Sequence, residues 1–162
     1  MKIKISASKK FLKIDQVTAN KSTADAIRAE LGLDKQVLLK ELKQIADDIA
    51  MSIRKNISSG RKFTGGRVAR LAKSTIKRKR SSVPLIETGR LLSGIIIKRK
   101  GDDYVVTLKD TIYPRSGTSL DKVATYLNYG TPRMPARPFF GISNSDAKKI
   151  ILNTLKKRFS PK

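Results

Sequence analysis

The acidic residues are the first candidates for catalysis, because the chain contains no histidine and no cysteine. Without them, imidazole-based catalysis and thiolate chemistry are excluded. Metal-dependent hydrolysis would need clustered carboxylates, but Asp47 and Asp48 are neighbours on a predicted helix and point in different directions. Asp102 and Asp103 fit the turn of a predicted hairpin. No glycine-rich phosphate-binding loop has the required spacing, so we predict a non-enzymatic protein without cofactor or metal.

Positive charge is the stronger chemical signal. Lysine and arginine number 36 against 13 acidic residues, which gives a formal net charge of +23. Such a charge attracts polyanions, and the candidate partners are nucleic acid, a membrane surface or an acidic protein. The basic segment, residues 61–84, contains no acidic residue at all. We predict that it faces a polyanion through Arg61, Lys62, Arg67, Arg70, Lys77, Arg78, Lys79 and Arg80.

Two interpretations of the basic segment remain open. Gly65 and Gly66 favour flexibility, so the segment can be a solvated, partly mobile loop or a loop that becomes ordered on binding an anion. A membrane partner is not expected, because acidic residues dilute the polar face of the predicted long helix. Tyr104 is the only aromatic residue in the predicted hairpin, so stacking on single-stranded nucleic acid is not indicated.

The proline-rich arm, residues 126–141, has the sequence YLNYGTPRMPARPFFG. Pro132, Pro135 and Pro138 remove backbone donors and restrict φ, which predicts a stiff, extended segment. Arginine and aromatic side chains are enriched at protein interfaces. We therefore predict an interface that contains Arg133, Arg137, Phe139, Phe140 and also Arg90.

Internal roles are the alternatives for the same side chains. Phe139 and Phe140 can equally be core residues that anchor the arm. Arg137 can pair with Glu87 inside the protein and so connect two distant stretches of sequence. Near that glutamate, Thr88 is a candidate N-cap for a single helical turn, with Gly89 present for its backbone geometry.

Hydrophobic periodicity predicts one long helix in the first half of the chain. Its apolar residues recur at spacings of four, three, four and four, which places them on one helical face: Leu38, Leu42, Ile45, Ile49 and Ile53. Asp34 is the predicted cap, and the helix should run from about 35 to 57. Such a helix needs a sheet or a second helix to cover it.

The remaining pattern predicts a mixed α+β protein. We expect one domain, residues 22–162, preceded by an extended segment, residues 1–21. The expected elements are a helix at 22–32, a short helix capped by Ser74 and running through Lys79, a hairpin of 95–99 and 104–109, a helix capped by Ser119 and closed by Gly130, and a last helix that Ser143 or Ser145 starts. No apolar run has the length of a signal peptide or a transmembrane helix, so we expect a soluble protein made in the cytoplasm.

Several motifs occur in a recognisable order. They are STIKRK at 74–79, LIETGRLLS at 85–93, the predicted hairpin, YGT at 129–131, and MPARPFFG at 134–141, followed by a predicted helix. This succession resembles the tail-completion (head–tail joining, or neck) family of tailed phages, which includes the Mu-like virion morphogenesis proteins. Many Mu-like members carry a histidine in the segment that matches 126–129, and its absence here favours the plainer tail-completion branch. Residues 85–93 are called the first motif below, and residues 134–141 the second motif.

The resemblance implies a fold and a role. It implies a twisted antiparallel sheet packed against a long amphipathic helix. It also implies a structural virion protein whose copies form a ring, usually a hexamer, between the portal or adaptor proteins and the tail tube or tail terminator. The protein would be assembled in the host cytoplasm and reside in the neck of the virion, where non-specific contact with packaged DNA is compatible with its charge. A non-enzymatic, basic DNA-binding protein is the alternative.

Overall fold

The structure, a computed structural model, describes residues 1–7, 12–15, 34–113 and 117–159. Helices and an antiparallel sheet are both present in these ranges, so the mixed α+β class is confirmed. The elements are β1 (Lys2–Ala7), β2 (Leu12–Asp15), α1 (Lys35–Ser59), α2 (Lys73–Lys79), α3 (Arg90–Ser93), β3 (Ile95–Lys100), β4 (Asp103–Leu108), α4 (Leu120–Tyr129) and α5 (Asn144–Phe159). The predicted helix at 22–32 lies outside the described residues.

Helix α1 is the longest described element and carries the main apolar stripe. Its predicted inward side chains, among them Ile45, Ile49 and Ile53, are buried. Their spacing places them on one helical face, so folding removes a continuous apolar surface from water. The helix ends at Ser59, close to the predicted end, where Gly60 adopts a left-handed φ of +60°.

Strand β1 lies in the interior of a four-stranded sheet with the order β2-β1-β4-β3. It pairs antiparallel with β2, and with β4, where Ile3 lies opposite Val106. Both of these side chains are buried. An interior strand forms hydrogen bonds along both of its edges, so residues 2–7 are an integral part of the sheet.

The predicted hairpin is confirmed as β3 and β4. Its short turn contains Gly101, whose φ is +63°, and Arg99 Nε donates a hydrogen bond to the carbonyl of Gly101 at 2.9 Å. Asp102 in the same turn forms an ion pair with Lys35, with Nζ 2.8 Å from Oδ2. The turn acids therefore have structural partners, in agreement with the turn chemistry that the sequence indicates.

The chain divides into two compact units. The sheet unit contains Lys2–Ala50, Ile97–Thr107 and Asn144–Lys162, and the motif unit contains Met51–Ile96, Leu108–Ser143 and Met1. The motif unit thus includes the basic segment, both motifs and the proline-rich arm. Among the described helices, none combines the length and the apolar character needed to span a membrane.

Helix α4 begins at the predicted cap. Ser119 has an extended backbone, and its Oγ accepts a hydrogen bond from the backbone N–H of Lys122 at 3.3 Å. The helix stops before Gly130, whose φ is +81°. Both helix ends were predicted, because capping and stopping depend on local residue chemistry.

Of two other helix starts, one agrees with the prediction and one differs from it. Helix α5 begins at Asn144, directly after Ser143, which is one of the two serines proposed as its start. Helix α2 ends at Lys79 as predicted, but its N-cap is Ala72, which offers no side-chain hydrogen bond. Ser74 is therefore the second residue of α2 and not its cap, because the helical turn already begins at Lys73.

Substitution of one buried α1 side chain tests the importance of the stripe. Ile53 is 0% exposed, so Ile53→Ala should lower the free energy of unfolding by about 2–5 kcal/mol through lost burial and a new cavity. Met51 lies on the same helix but is 65% exposed, so Met51→Ala is the matched control and should change stability little. Chemical denaturation measures both variants, and equal losses would contradict the inward position of Ile53.

Candidate polyanion-binding surface

The basic segment begins with a tight turn directly after α1. The backbone N–H of Lys62 donates to the carbonyl of Gly66 at 3.0 Å, and that of Val68 donates to the carbonyl of Gly60 at 2.9 Å. Gly65 and Gly66 have φ values of +94° and +76°, a region that glycine enters without steric cost. The glycines that suggested flexibility thus close a hydrogen-bonded turn at the start of the segment.

Arg61 and Arg67 lie opposite each other across this turn, in an isolated antiparallel bridge. Both side chains are exposed. Directly opposite residues have Cβ atoms about 5 Å apart, and like charges at such positions destabilise the pair. In the part of the chain that the structure describes, neither arginine has a carboxylate partner. The free protein therefore holds two positive side chains together without neutralising them.

Helix α2 presents two sides of different character. Ser74, Arg78 and the two lysines Lys73 and Lys77 are exposed, whereas Thr75, Ile76 and Lys79 are half-buried. Arg80, the C-cap that follows the helix, has a left-handed φ of +54° and an exposed side chain. A left-handed conformation costs a residue with a Cβ roughly 1–2 kcal/mol, and glycine is usual at this position. An arginine here is locally unfavourable.

Lys79 departs from its predicted role. Its Nζ donates to the carbonyls of Val83 at 3.0 Å and Pro84 at 3.3 Å, and the side chain is half-buried. Burial lowers the pKa of Lys79, against the opposing effect of Glu87. Lys79 is therefore a structural donor that closes the end of the basic segment, and its burial speaks against a polyanion-facing position.

Arg78 is exposed but pairs with Glu87, with Nη1 3.4 Å from Oε1.

Arg137 of the second motif is buried, with 3% of its surface exposed. Its Nε donates to the carbonyl of Ala69 at 2.9 Å and its Nη2 to the carbonyl of Arg70 at 3.0 Å. Burial lowers the pKa of the guanidinium. The proposed pair with Glu87 is thus wrong, because Arg137 binds two consecutive carbonyls of the basic segment and Glu87 pairs with Arg78.

The aromatic pair of the second motif is internal. Phe139 and Phe140 are buried, and their rings meet edge to face with centroids 6.2 Å apart. Asn128 Oδ1 accepts the backbone N–H groups of both phenylalanines at 3.0 Å. The core alternative for this pair is therefore confirmed. Their burial, like that of Arg137, speaks against their prediction as interface residues.

The sequence analysis missed Asn128. It occupies a buried position of α4, four residues after buried Ala124 and eight after buried Leu120. A buried amide must find hydrogen-bond partners, and the backbone of the following arm supplies them. The signal that could have revealed it was an asparagine in register with an apolar helical stripe.

Residues 126–129 of the proline-rich arm belong to α4, so the prediction of an extended arm is wrong for them, and the rest of the arm folds back after this helix. The backbone N–H of Arg137 donates to the carbonyl of Leu127 at 2.7 Å, and that of Phe63 donates to the carbonyl of Pro138 at 3.0 Å. Between these points, Thr131 and Met134 exchange backbone hydrogen bonds of 2.8 and 3.0 Å and close a turn. The arm is therefore bonded along its length to its own unit.

The first motif forms the short helix α3. Gly89 precedes it with a φ of +72°, and no side chain caps the helix, so the glycine prediction is confirmed and the Thr88 cap is wrong. Arg90 is exposed, donates through Nη1 to the carbonyl of Ile112 at 3.2 Å, and lies 5.8 Å from the ring centroid of Tyr113. Arg90 thus keeps a surface position while one of its nitrogens is occupied.

Only some of the side chains predicted for the interface and for the polyanion-facing surface are exposed. Arg133 and Arg90 are the exposed members of the predicted interface. The exposed cations of the basic segment are Arg61, Arg67, Arg70, Lys73, Lys77, Arg78 and Arg80, whereas Lys62 is half-buried. Exposed apolar side chains of the motif unit that were not singled out are Met51, Val83, Ile112, Tyr126 and Tyr129.

Known proteins provide no template for this surface. Comparison with protein-family models, with curated proteins and with solved structures finds no match to the chain. Within the described ranges, no group of three or more acidic residues is arranged to hold a metal ion. The chemistry of the site must therefore be argued from its own geometry.

Arg137→Lys tests whether the planar guanidinium holds the basic segment. A lysine cannot reproduce two donors aimed at consecutive carbonyls, so the free energy of unfolding should fall by about 1.5–3 kcal/mol. Tryptic cleavage within residues 61–80 should also accelerate. Arg133→Lys changes an exposed arginine of the same arm and is the matched control. Unchanged stability and proteolysis in Arg137→Lys would contradict the assigned role.

Asn128→Ala tests the second attachment. It leaves the backbone N–H groups of Phe139 and Phe140 without their acceptor, and each unpaired buried donor costs about 1–3 kcal/mol. Thermal unfolding should show a clear loss of stability. Asn153→Ala, at an exposed position of α5, is the control and should be near neutral. If both variants melted at the wild-type temperature, Asn128 would not anchor the arm.

Proposed function

We propose that this protein is a structural component of the head–tail junction of a tailed phage. In this role its copies form a ring, of hexameric type, that joins the portal or adaptor side to the tail tube or tail terminator. The proposal begins from the ordered motifs that resemble the tail-completion family. It requires no catalytic group, cofactor or metal, and it places the protein in the virion neck after assembly in the host cytoplasm.

One observation supports the proposal most directly, which is that both motifs attach to the same basic segment. The second motif does so through Arg137 and the carbonyls of Ala69 and Arg70. The first motif does so through Glu87, which pairs with Arg78. Each motif therefore contributes part of one framework that presents a charged surface.

The acidic residues support a structural and not a catalytic role. Asp47 pairs with Lys43 at 2.8 Å, Asp102 pairs with Lys35 at 2.8 Å, and Glu87 pairs with Arg78 at 3.4 Å. Carboxylates that work as general acids or metal ligands are expected to converge on a cleft. Here each of these carboxylates belongs to a separate local ion pair.

Subunit contacts in the proposed ring would use exposed side chains of the motif unit. Arg90 and Arg133 remain available, and Tyr129 is 64% exposed. Arginine and tyrosine are among the residue types most often found at the energetic centre of interfaces. The proposal also includes the finer fold of the family, in which a twisted sheet packs against the long helix.

Electron microscopy of particles made without the protein tests the proposed function. Loss of a junction ring should leave filled heads and separate tails, because neither half can be joined. Supplying the wild-type protein from a plasmid is the control and should restore joined particles. Normal infectious virions in the absence of the protein would overturn the proposal.

A further inference from the structure

We propose that the basic segment binds the phosphodiester backbone of duplex nucleic acid, with Arg61 and Arg67 contacting one phosphate and Lys73, Lys77 and Arg80 extending the contact. This inference deepens the proposed function. It rests on that function only for the identity of the duplex, which would be the packaged genome. The binding chemistry follows from the surface alone. It is independent of base sequence, because phosphate contacts carry no base information.

The basic segment carries positive charge that no carboxylate of the described residues compensates, apart from the pair of Arg78. The chain has no acidic residue between Asp48 and Glu87, and the only described ion pair of the basic segment is the one that uses Arg78. Arg61, Arg67, Arg70, Lys73, Lys77 and Arg80 are exposed without a carboxylate partner among the described residues. A surface of this kind accumulates counterions, and their release favours binding of a polyanion.

The segment also breaks local folding preferences at two of its positions. Arg61 faces Arg67 across a bridge, where like charges repel. Arg80 occupies a left-handed conformation that favours glycine. Both choices disfavour the free folded state, and departures of this kind concentrate at functional sites. A phosphate between the two arginines would convert their repulsion into two favourable contacts, since each guanidinium can donate to its oxygens.

The basic segment is preorganised for binding. The backbone that carries the cations is held by Arg137 at residues 69 and 70, by Pro138 at Phe63, and by Lys79 at its end. A segment already ordered in the free protein loses less conformational entropy when a ligand binds. The cations therefore form a prepared surface and not a flexible tail.

The apolar content of the segment favours a nucleic acid over an acidic protein. Val68 is buried, Phe63, Leu71 and Ile76 are half-buried, and Val83, which is 37% exposed, is the one large apolar side chain of the segment with an exposed surface. Protein interfaces are built around apolar and aromatic side chains, whereas nucleic-acid interfaces are polar and strongly positive. Phe63 also packs close to Gly141, where an added Cβ would lie 2.7 Å from its ring. A ring held in this way is not free to stack on single-stranded bases, which favours a duplex.

Fluorescence anisotropy tests the inference. It measures binding of the full-length protein to a short random-sequence DNA duplex at several salt concentrations. The logarithm of affinity should fall linearly with the logarithm of salt concentration, with a slope of about −0.9 per phosphate contacted. The double variant Arg61→Gln/Arg67→Gln should bind more weakly and reduce the magnitude of this slope by roughly 1 for each phosphate that it no longer neutralises. The variant Lys148→Gln/Lys149→Gln removes the same charge from exposed positions of α5 and is the matched control. Equal weakening in both double variants would show that net charge alone drives binding, and would overturn the inference.

Arg80→Gly separates binding from folding. It removes a side chain proposed to touch phosphate while relieving an unfavourable backbone conformation, so affinity should fall while the melting temperature stays level or rises. Duplex RNA should show the same decreases in affinity as duplex DNA if the backbone is recognised. Binding that depends on base sequence, or tighter binding of polyglutamate than of DNA with the same variant sensitivity, would overturn the inference.

The two proposals fail in different ways. If the wild-type protein binds no duplex at moderate salt, the phosphate-binding inference is wrong, while the junction role still depends on the micrographs. If particles form normally without the protein but DNA binding and its variant pattern are observed, the junction role is wrong and the inference stands.

Discussion

The motif unit depends on the hydrogen bonds of the buried guanidinium of Arg137. This group joins the proline-rich arm to Ala69 and Arg70 through two hydrogen bonds to backbone carbonyls. Arg54, whose side chain is exposed, also donates to a backbone carbonyl, that of Ile95, at 2.7 Å. In a unit rich in cations and poor in acids, both guanidinium groups thus use peptide carbonyls as acceptors.

Carbonyl acceptors have an electrostatic effect that ion pairs lack. A guanidinium bound to a carboxylate adds no net charge, whereas one bound to carbonyl groups keeps its full positive charge. The framework of the motif unit thus strengthens the positive potential around the basic segment instead of cancelling it. Structural stability and attraction for anions are therefore compatible in this unit, although both depend on the same residue types.

Most helices and strands could be predicted from residues that are close together in the sequence. Contacts between residues that are distant in the sequence could not be predicted from such local patterns. The stripe that contains Ile45 and Ile49, the Ser119 cap and the β3–β4 hairpin all depend on residues close together in the chain. The partners of Arg137 are the backbone carbonyls of Ala69 and Arg70, which are distant in the sequence. Because every residue has a backbone carbonyl, the residue types at these positions do not reveal the contact. The pairing of β1 with β4 is similarly long-range, because a register is set by a whole sheet and not by one strand.

The turn closed by Thr131 and Met134 sets where the proline-rich arm can vary in length. Its base is crowded, because a Cβ on Gly130 would lie 2.8 Å from the backbone nitrogen of Ala136. Its tip, with Pro132 and Arg133, is exposed. Lengthening an exposed loop by a few residues costs little closure entropy, whereas any change at the base would displace the anchored residues. Within the arm, we therefore expect an insertion such as a peptide label to be tolerated at this tip and not at the base.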